Sequence, residues 1–250
     1  MSFYQEMRDF VLRHGAINNP YLDRFQTGAL TDEEFGEFAV EFYNFARFFP
    51  RILVSQLVNT EDEAVADELT KVLYSELGDG RTKNRHELLY RDFLRSAGLD
   101  VHEAMTRPML PSTRAYIDGM EQLYSSGNHA TALGASFGLE NMAITMWDHL
   151  IPGLKQLQVH RHPGLDVTYF TFHRELESTH EEAMEHAVTA VDGVKGMSAA
   201  EREDFRRGVK AVLDYLEGFW MGLNKRGTAA SRVSTAAAPR ASKVSRSRSG

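Results

Sequence analysis

The chain has 250 residues, a formal net charge of −7, 42% hydrophobic and 25% charged residues, and no cysteine. That length buries a sizeable core without covalent staples, and the missing cysteine excludes disulfides, thiolate nucleophiles, iron–sulfur clusters and zinc fingers. No run approaches the roughly 20 apolar residues of a membrane span, and the opening MSFYQEMRDF lacks the apolar block of a secretory signal, so the sequence reads as a cytoplasmic chain.

The predicted elements are all helical. Apolar residues recur at helical spacing from about Ser2 to His14. A second helix opens at Thr31, where Thr-Asp-Glu-Glu supplies an N-cap and first-turn acids, and it runs through EFGEFAVEFYNFARFFPRILVSQLV with a kink at Pro50. A third spans about Glu61 to Leu77 and stops at Gly78-Asp79-Gly80, and a fourth covers about Arg85 to Ala97 before Gly98. The fifth follows Pro111 to about Ser125, the sixth runs from about His129 to Leu150, and the seventh from about Val167 to Val191. The eighth runs from about Ser198 to Leu223, with Ser198 and Glu201 in a capping-box pattern. The reading is one all-α bundle of seven or eight helices over residues 1–224.

From Lys225 to Gly250 the chain carries seven Lys or Arg and no acid, which leaves 21 bases against 35 acids in the body. An acidic body repels phosphate backbones, so nucleic-acid binding by the folded domain is not expected. The Ser/Ala/Arg-rich end at 225–250 has no aromatic residue and is expected to be a disordered basic tail.

Chemistry concentrates in the seventh helix. At about 100° per residue, His173, Glu177 and His180 fall at about 0°, 40° and −20°, on one face shared with Leu176 and Ala183. Two imidazoles and a carboxylate thus point inward, where burial is costly without a partner, and a metal ion satisfies all three. Glu140 stands in the weakly polar run ATALGASFGLENMAITMWDHL, where an acid needs a counter-charge. Gly134 and Gly138 in the same helix admit a close approach, either by another helix or by a ligand. Glu76 and His86 flank the glycine turn, which is able to fold them onto a common point. These six, Glu76, His86, Glu140, His173, Glu177 and His180, are the candidate metal ligands. Three carboxylates and three imidazoles suit two divalent iron or manganese ions. A ferritin-like site needs a Glu-x-x-His pair on each of two helices, and only Glu177 with His180 fits.

The order of a Glu, a His ten residues on across a glycine turn, a lone Glu in a glycine-containing helix, and then His-x3-acid-x2-His resembles the heme-oxygenase-like di-iron oxidases. These are iron-containing redox enzymes related in fold to TenA- and PqqC-like proteins. The resemblance covers most of residues 15–224. It implies a heme-oxygenase-like bundle with two Fe(II) ions in its core, or an iron–manganese pair, and dioxygen as co-substrate. The implied activity is oxidation of a small amino-acid-derived or fatty-acid-like molecule in a biosynthetic pathway, with a homodimer and an external reductase as partners the family admits. Many members carry Asp where this chain has Glu177. Members that build para-aminobenzoate from their own side chains are similar here in Tyr169, a catalytic candidate, and in Tyr21. They place Tyr and Lys where this chain has Leu139 and Leu150, so a free substrate is expected.

Two other readings use the same bundle. A heme oxygenase would draw on His14 and the Gly134/Gly138 pair, and a non-catalytic partner-binding bundle would hold a structural metal. A thiaminase-like hydrolysis on this fold needs the cysteine that is missing. The remaining histidines, 102, 129, 149, 160, 162 and 186, join no same-face group, and Phe38, Phe42, Tyr43, Phe45, Phe48 and Phe49 read as core, some walling a channel.

Overall fold

A computed structural model of the chain describes residues 2–194 and 196–236. Among them are ten α-helices and no strand. They are α1 (Phe3–Arg13), α2 (Pro20–Gln26), α3 (Asp32–Val58), α4 (Glu63–Glu76), α5 (His86–Ser96), α6 (Val101–Thr106), α7 (Pro111–Tyr124), α8 (His129–His160), α9 (Thr168–Val194) and α10 (Ala199–Ala236). The all-helical reading stands, but the number exceeds the seven or eight expected. The additions, α2 and α6, are seven and six residues long and too short for a periodic signal.

Capping chemistry sets the starts. Thr31 and Glu34 form a reciprocal capping box at α3, and Ser198 and Glu201 pair in the same way ahead of α10. Asn128 accepts from the Thr131 amide at α8, and Asp62 from Ala64 and Val65 at α4. Proline ends neither long helix. α3 runs through Pro50, and α8 runs through Pro152 to His160, ten residues beyond the expected end at Leu150, because its apolar face continues and buries Leu154 and Leu157.

α8 is the central element, packed against α10, α9, α7, α2 and α1. The glycines at 134 and 138 serve this packing and not a ligand. A Cβ at Gly134 would collide with the Phe205 carbonyl of α10, and one at Gly138 would lie 2.9 Å from Val212 Cγ1. α9 completes the bundle against α8, α4 and α5. Helix α10 continues to Ala236, past the expected boundary at 225, and the last part of the expected tail, 237–250, lies outside the described residues.

Candidate metal centre

Four helices deliver the six polar side chains. The break between α4 and α5 runs through Gly78, Asp79 and Gly80, all with positive φ. Only glycine fits at 78, where a Cβ would lie 2.5 Å from the Arg81 carbonyl and 2.7 Å from the Arg85 amide. This turn reverses the chain tightly enough that Glu76 Oε2, at the end of α4, lies 2.8 Å from His86 Nδ1, at the start of α5. His173 of α9 joins them, with its Nε2 3.8 Å from Glu76 Oε1 and its ring centroid 4.1 Å from that of His86.

Glu140 of α8 forms the second group with Glu177 and His180 of α9. His180 Nδ1 is 3.4 Å from Glu140 Oε2 and 3.8 Å from Glu177 Oε2. Within each group of three, one potential ligand atom per residue lies within 4.8 Å of the others, and all six residues are buried. The face read from the sequence is therefore divided. His173 belongs to one group, and Glu177 and His180 to the other.

The set is under-bonded. Nε2 of His86 and Oε2 of Glu177 are buried without a hydrogen-bond partner, and Nδ1 of His86 has only its ion-pair contact with Glu76. Orphaned atoms of that kind cost roughly 1–3 kcal/mol each, more when charged, unless something coordinates them. Nitrogen and carboxylate donors in two groups of three match divalent iron or manganese, with positions left open. The residues fit such ions.

Partners outside the groups aim these ligands. The Nδ1–H of His173 donates to the Tyr169 carbonyl at 2.8 Å, one turn back on α9, which turns Nε2 toward Glu76. His180 Nε2 lies 3.2 Å from the Ser75 hydroxyl, which leaves Nδ1 facing the carboxylates. The indole N–H of Trp147 donates to Glu177 Oε1 at 2.7 Å. Neither Ser75 nor Trp147 was a sequence candidate. Each had a signal: Trp147 follows Glu140 by two helical turns and shares its face, and Ser75 directly precedes Glu76.

Electrostatics are severe without a cation. Burial pushes Glu177 up to about 7, with the neighbouring Glu140 charge adding to the rise. Burial opposes protonation of His180, but hydrogen bonding to Glu140 and the charges of Glu140, Glu177 and Glu76 outweigh it and raise the imidazole to about 9. Burial likewise opposes ionisation of Glu76, yet His86 and His173 hold its carboxyl well below the usual range.

A cavity of about 40 Å³ adjoins both groups, walled by Phe45, Phe49, Leu139, Met142, Met146 and Tyr169 among others. Apart from the candidate ligands its walls carry no charge. Phe45 and Phe49 thus line this cavity, while Phe38, Phe42 and Tyr43 are core. Tyr169 is 4% exposed, with its ring centroid 4.2 Å from His173. Tyr21 is elsewhere, stacked on Trp220. The features a heme site would use are engaged in packing: His14 pairs with Asp214 at 3.4 Å and Glu217 at 3.8 Å, and Gly134 and Gly138 meet α10.

Residues 36–217 match the family model described as iron-containing redox enzyme. A 4-chloro-allylglycine synthase from Streptantibioticus cattleyicolor is 28% identical over 218 residues, covering 86% of this chain and 80% of the relative. Among solved structures, a CADD-like protein of unknown function from Nostoc punctiforme superposes with TM-score 0.75 at 16% identity, over 90% of this chain and 96% of that one. A TenA homologue from Pseudomonas syringae gives 0.74 at 12% identity, over 90% and 93%. A domain of unknown function with a heme oxygenase-like fold from Shewanella denitrificans gives 0.67 at 18% identity, over 96% and 95%. At these identities the structural matches establish the heme oxygenase-like fold.

Proposed function

This chain belongs to the iron-containing redox enzyme family and is an oxidoreductase, and from that premise we propose that it is a non-heme di-iron oxidase that uses dioxygen to oxidise a small organic substrate. The observation that carries the reading is the pair of buried three-residue groups with His86 and Glu177 under-bonded. Glu76, His86 and His173 would hold one ion, and Glu140, Glu177 and His180 the other. Two ferrous ions bound there would supply the electrons for reduction of dioxygen.

The residues of the chain perform the rest. The Trp147 and Ser75 hydrogen bonds orient Glu177 and His180, and the Tyr169 carbonyl orients His173. The uncharged walls of the cavity keep bulk water from the reacting centre. Tyr169, packed on His173, presents the one phenol among the lining residues and is the catalytic candidate. The 4-chloro-allylglycine synthase is named for an amino-acid product, which supports an amino-acid-derived substrate over a fatty acid.

The test is metal content together with substrate-triggered dioxygen uptake. The ferrous-loaded protein is expected to hold two ions per chain and to consume dioxygen faster with one member of an amino-acid and fatty-acid panel. Glu140→Ala and His173→Ala are each expected to lose an ion and the uptake. Full metal content in both variants would refute the ligand assignment, and two bound ions without any dioxygen uptake would favour a structural metal.

A further inference from the structure

Three tyrosines lead from the metal groups to the surface. The ring of Tyr169 lies 4.2 Å from His173 between centroids, Tyr90 lies 4.6 Å from Tyr169, and Tyr43 lies 5.5 Å from Tyr90. All three are 4% exposed or less. They come from α9, α5 and α3, so the row arises from packing and not from sequence proximity. At each step the neighbour is a phenol, whose ring gives up an electron far more readily than phenylalanine does.

The middle and outer members of the row differ in a way that sets a direction. Tyr90 donates its hydroxyl to the Ala39 carbonyl at 3.0 Å, and an amide oxygen is too weak a base to keep a phenol proton. Tyr43 donates to the Glu87 carboxylate at 2.7 Å, which is able to take it. A phenol that loses an electron is stabilised when its proton leaves at the same time, so the electron deficiency settles on Tyr43. There Arg91 Nε lies 3.1 Å from the hydroxyl and Arg47 stands 5.9 Å from the ring centroid. Glu87 and Arg91 are 26% and 31% exposed. A second branch toward Trp220 and Tyr21 passes through Phe42, at 5.9 Å from Tyr90 and 6.1 Å from Trp220, and so has no phenol at its first step.

We infer that Tyr43, Tyr90 and Tyr169 form a path that delivers single electrons from the Arg47/Glu87/Arg91 surface to the oxidised metal centre, with a small anionic one-electron reductant, for which ascorbate is the probe, at the outer end. The inference rests on the oxidase reading above. In each event the centre gains one electron, Tyr43 loses one, and the phenol proton passes to Glu87. The donor then returns one electron, and the proton moves back from Glu87 to the phenolate oxygen. When no substrate occupies the cavity, this route removes an oxidising equivalent that would otherwise damage the ligands.

The test exposes iron-loaded protein to dioxygen without substrate and freezes it for electron paramagnetic resonance, with dioxygen uptake recorded in parallel. A tyrosyl signal that narrows with ring-deuterated tyrosine is expected, and ascorbate is expected to quench it. Tyr43→Phe should move the radical inward, with oxidative modification of Tyr90 or Tyr169 found by peptide mass spectrometry. Tyr90→Phe should abolish radical formation at Tyr43, while the buried off-path variant Tyr124→Phe should leave the signal unchanged. Helical circular dichroism and iron content verify that each variant is folded and loaded. Uptake with no tyrosyl signal, or with a signal indifferent to Tyr43→Phe and Tyr90→Phe, overturns the path alone. Iron-loaded protein that takes up dioxygen only when a member of the amino-acid and fatty-acid panel is present overturns the path alone, and protein that takes up none with or without the panel overturns the oxidase reading and the path with it.

Discussion

The Trp147 indole N–H donates to Oε1 of Glu177 at 2.7 Å, joining α8 to α9 and leaving Oε2 as the free carboxylate oxygen beside His180. A carboxylate with one oxygen engaged in this way offers the other to a metal in a fixed direction. Replacing Trp147 by Phe keeps an aromatic ring and removes the donor. The expected result is roughly 10–100-fold weaker binding of the ion at Glu140, Glu177 and His180, with the other ion retained. Titration with Mn(II) or Co(II), followed by calorimetry and the Co(II) visible bands, measures it. Equal affinities at both sites in Trp147→Phe would remove the indole from this role.

Ser75 holds the far nitrogen of His180 while its neighbour Glu76 belongs to the other group. Ser75→Ala leaves that nitrogen without its partner and frees the ring to turn. About tenfold weaker metal binding at the Glu140 group is expected, with Ser75→Thr restoring most of it because the hydroxyl persists. A loss that Thr fails to restore would point to packing and not to the hydrogen bond.

The metal-free protein should be least stable at the two ends of the pH range. Glu177 and His180, at about 7 and about 9, hold their protons more tightly in the fold than in the unfolded chain, where about 4.5 and 6.5 apply. Their contribution is complete below the unfolded values and disappears as pH rises through about 7 and then about 9. Glu76 acts oppositely, because its carboxyl is depressed. Its contribution is present above about 4.5 and fades as pH falls below that. Urea unfolding of the metal-free protein across pH should therefore give a maximum near pH 4.5, with stability falling toward pH 7 as Glu177 loses its advantage and further toward pH 9 as His180 does. Metal binding displaces the retained protons, so affinity should rise from pH 6 to pH 8 with measurable proton release. A flat stability profile would show that these groups are not titrating in the fold.

Gly134 offers a test of the bundle independent of chemistry. In an open helix, Gly→Ala stabilises by about 1 kcal/mol. Here the added Cβ meets the Phe205 backbone carbonyl, which has no rotamer to move to. Overpacking of this kind costs roughly 1–3 kcal/mol or more, so the sign reverses and Gly134→Ala should lower the unfolding midpoint. Gly36 is helical with nothing within 4 Å of a built Cβ, and Gly36→Ala is the control expected to raise it.

Much of the bundle was legible because helical periodicity and caps are local. Ser198 with Glu201 appears as the capping box its spacing predicts, and Thr31 caps α3 as expected, with Glu34 returning the bond to complete a box. The short helices α2 and α6 were not legible, since six or seven residues complete fewer than two turns, and α8 outran Pro152 because burial of Leu154 and Leu157 continues the helix. Gly134 and Gly138 announced a close approach, but only the packing of α10 identified what approaches.

The sequence by itself determined which side chains are candidate ligands and which face of α9 three of them share, because a 3.6-residue turn fixes angular position whatever surrounds the helix. Only the tertiary structure decided how they divide. His173 and His180 are separated by a rise of about 10 Å along α9, too far for one ion to bind both. Their partners Glu76, His86 and Glu140 arrive on helices whose placement depends on contacts distant in the chain. The same holds for Trp147 on Glu177, Ser75 on His180, and the row from Tyr169 to Tyr43. Each is a contact between helices, set by how apolar faces pack, and no local spacing encodes it.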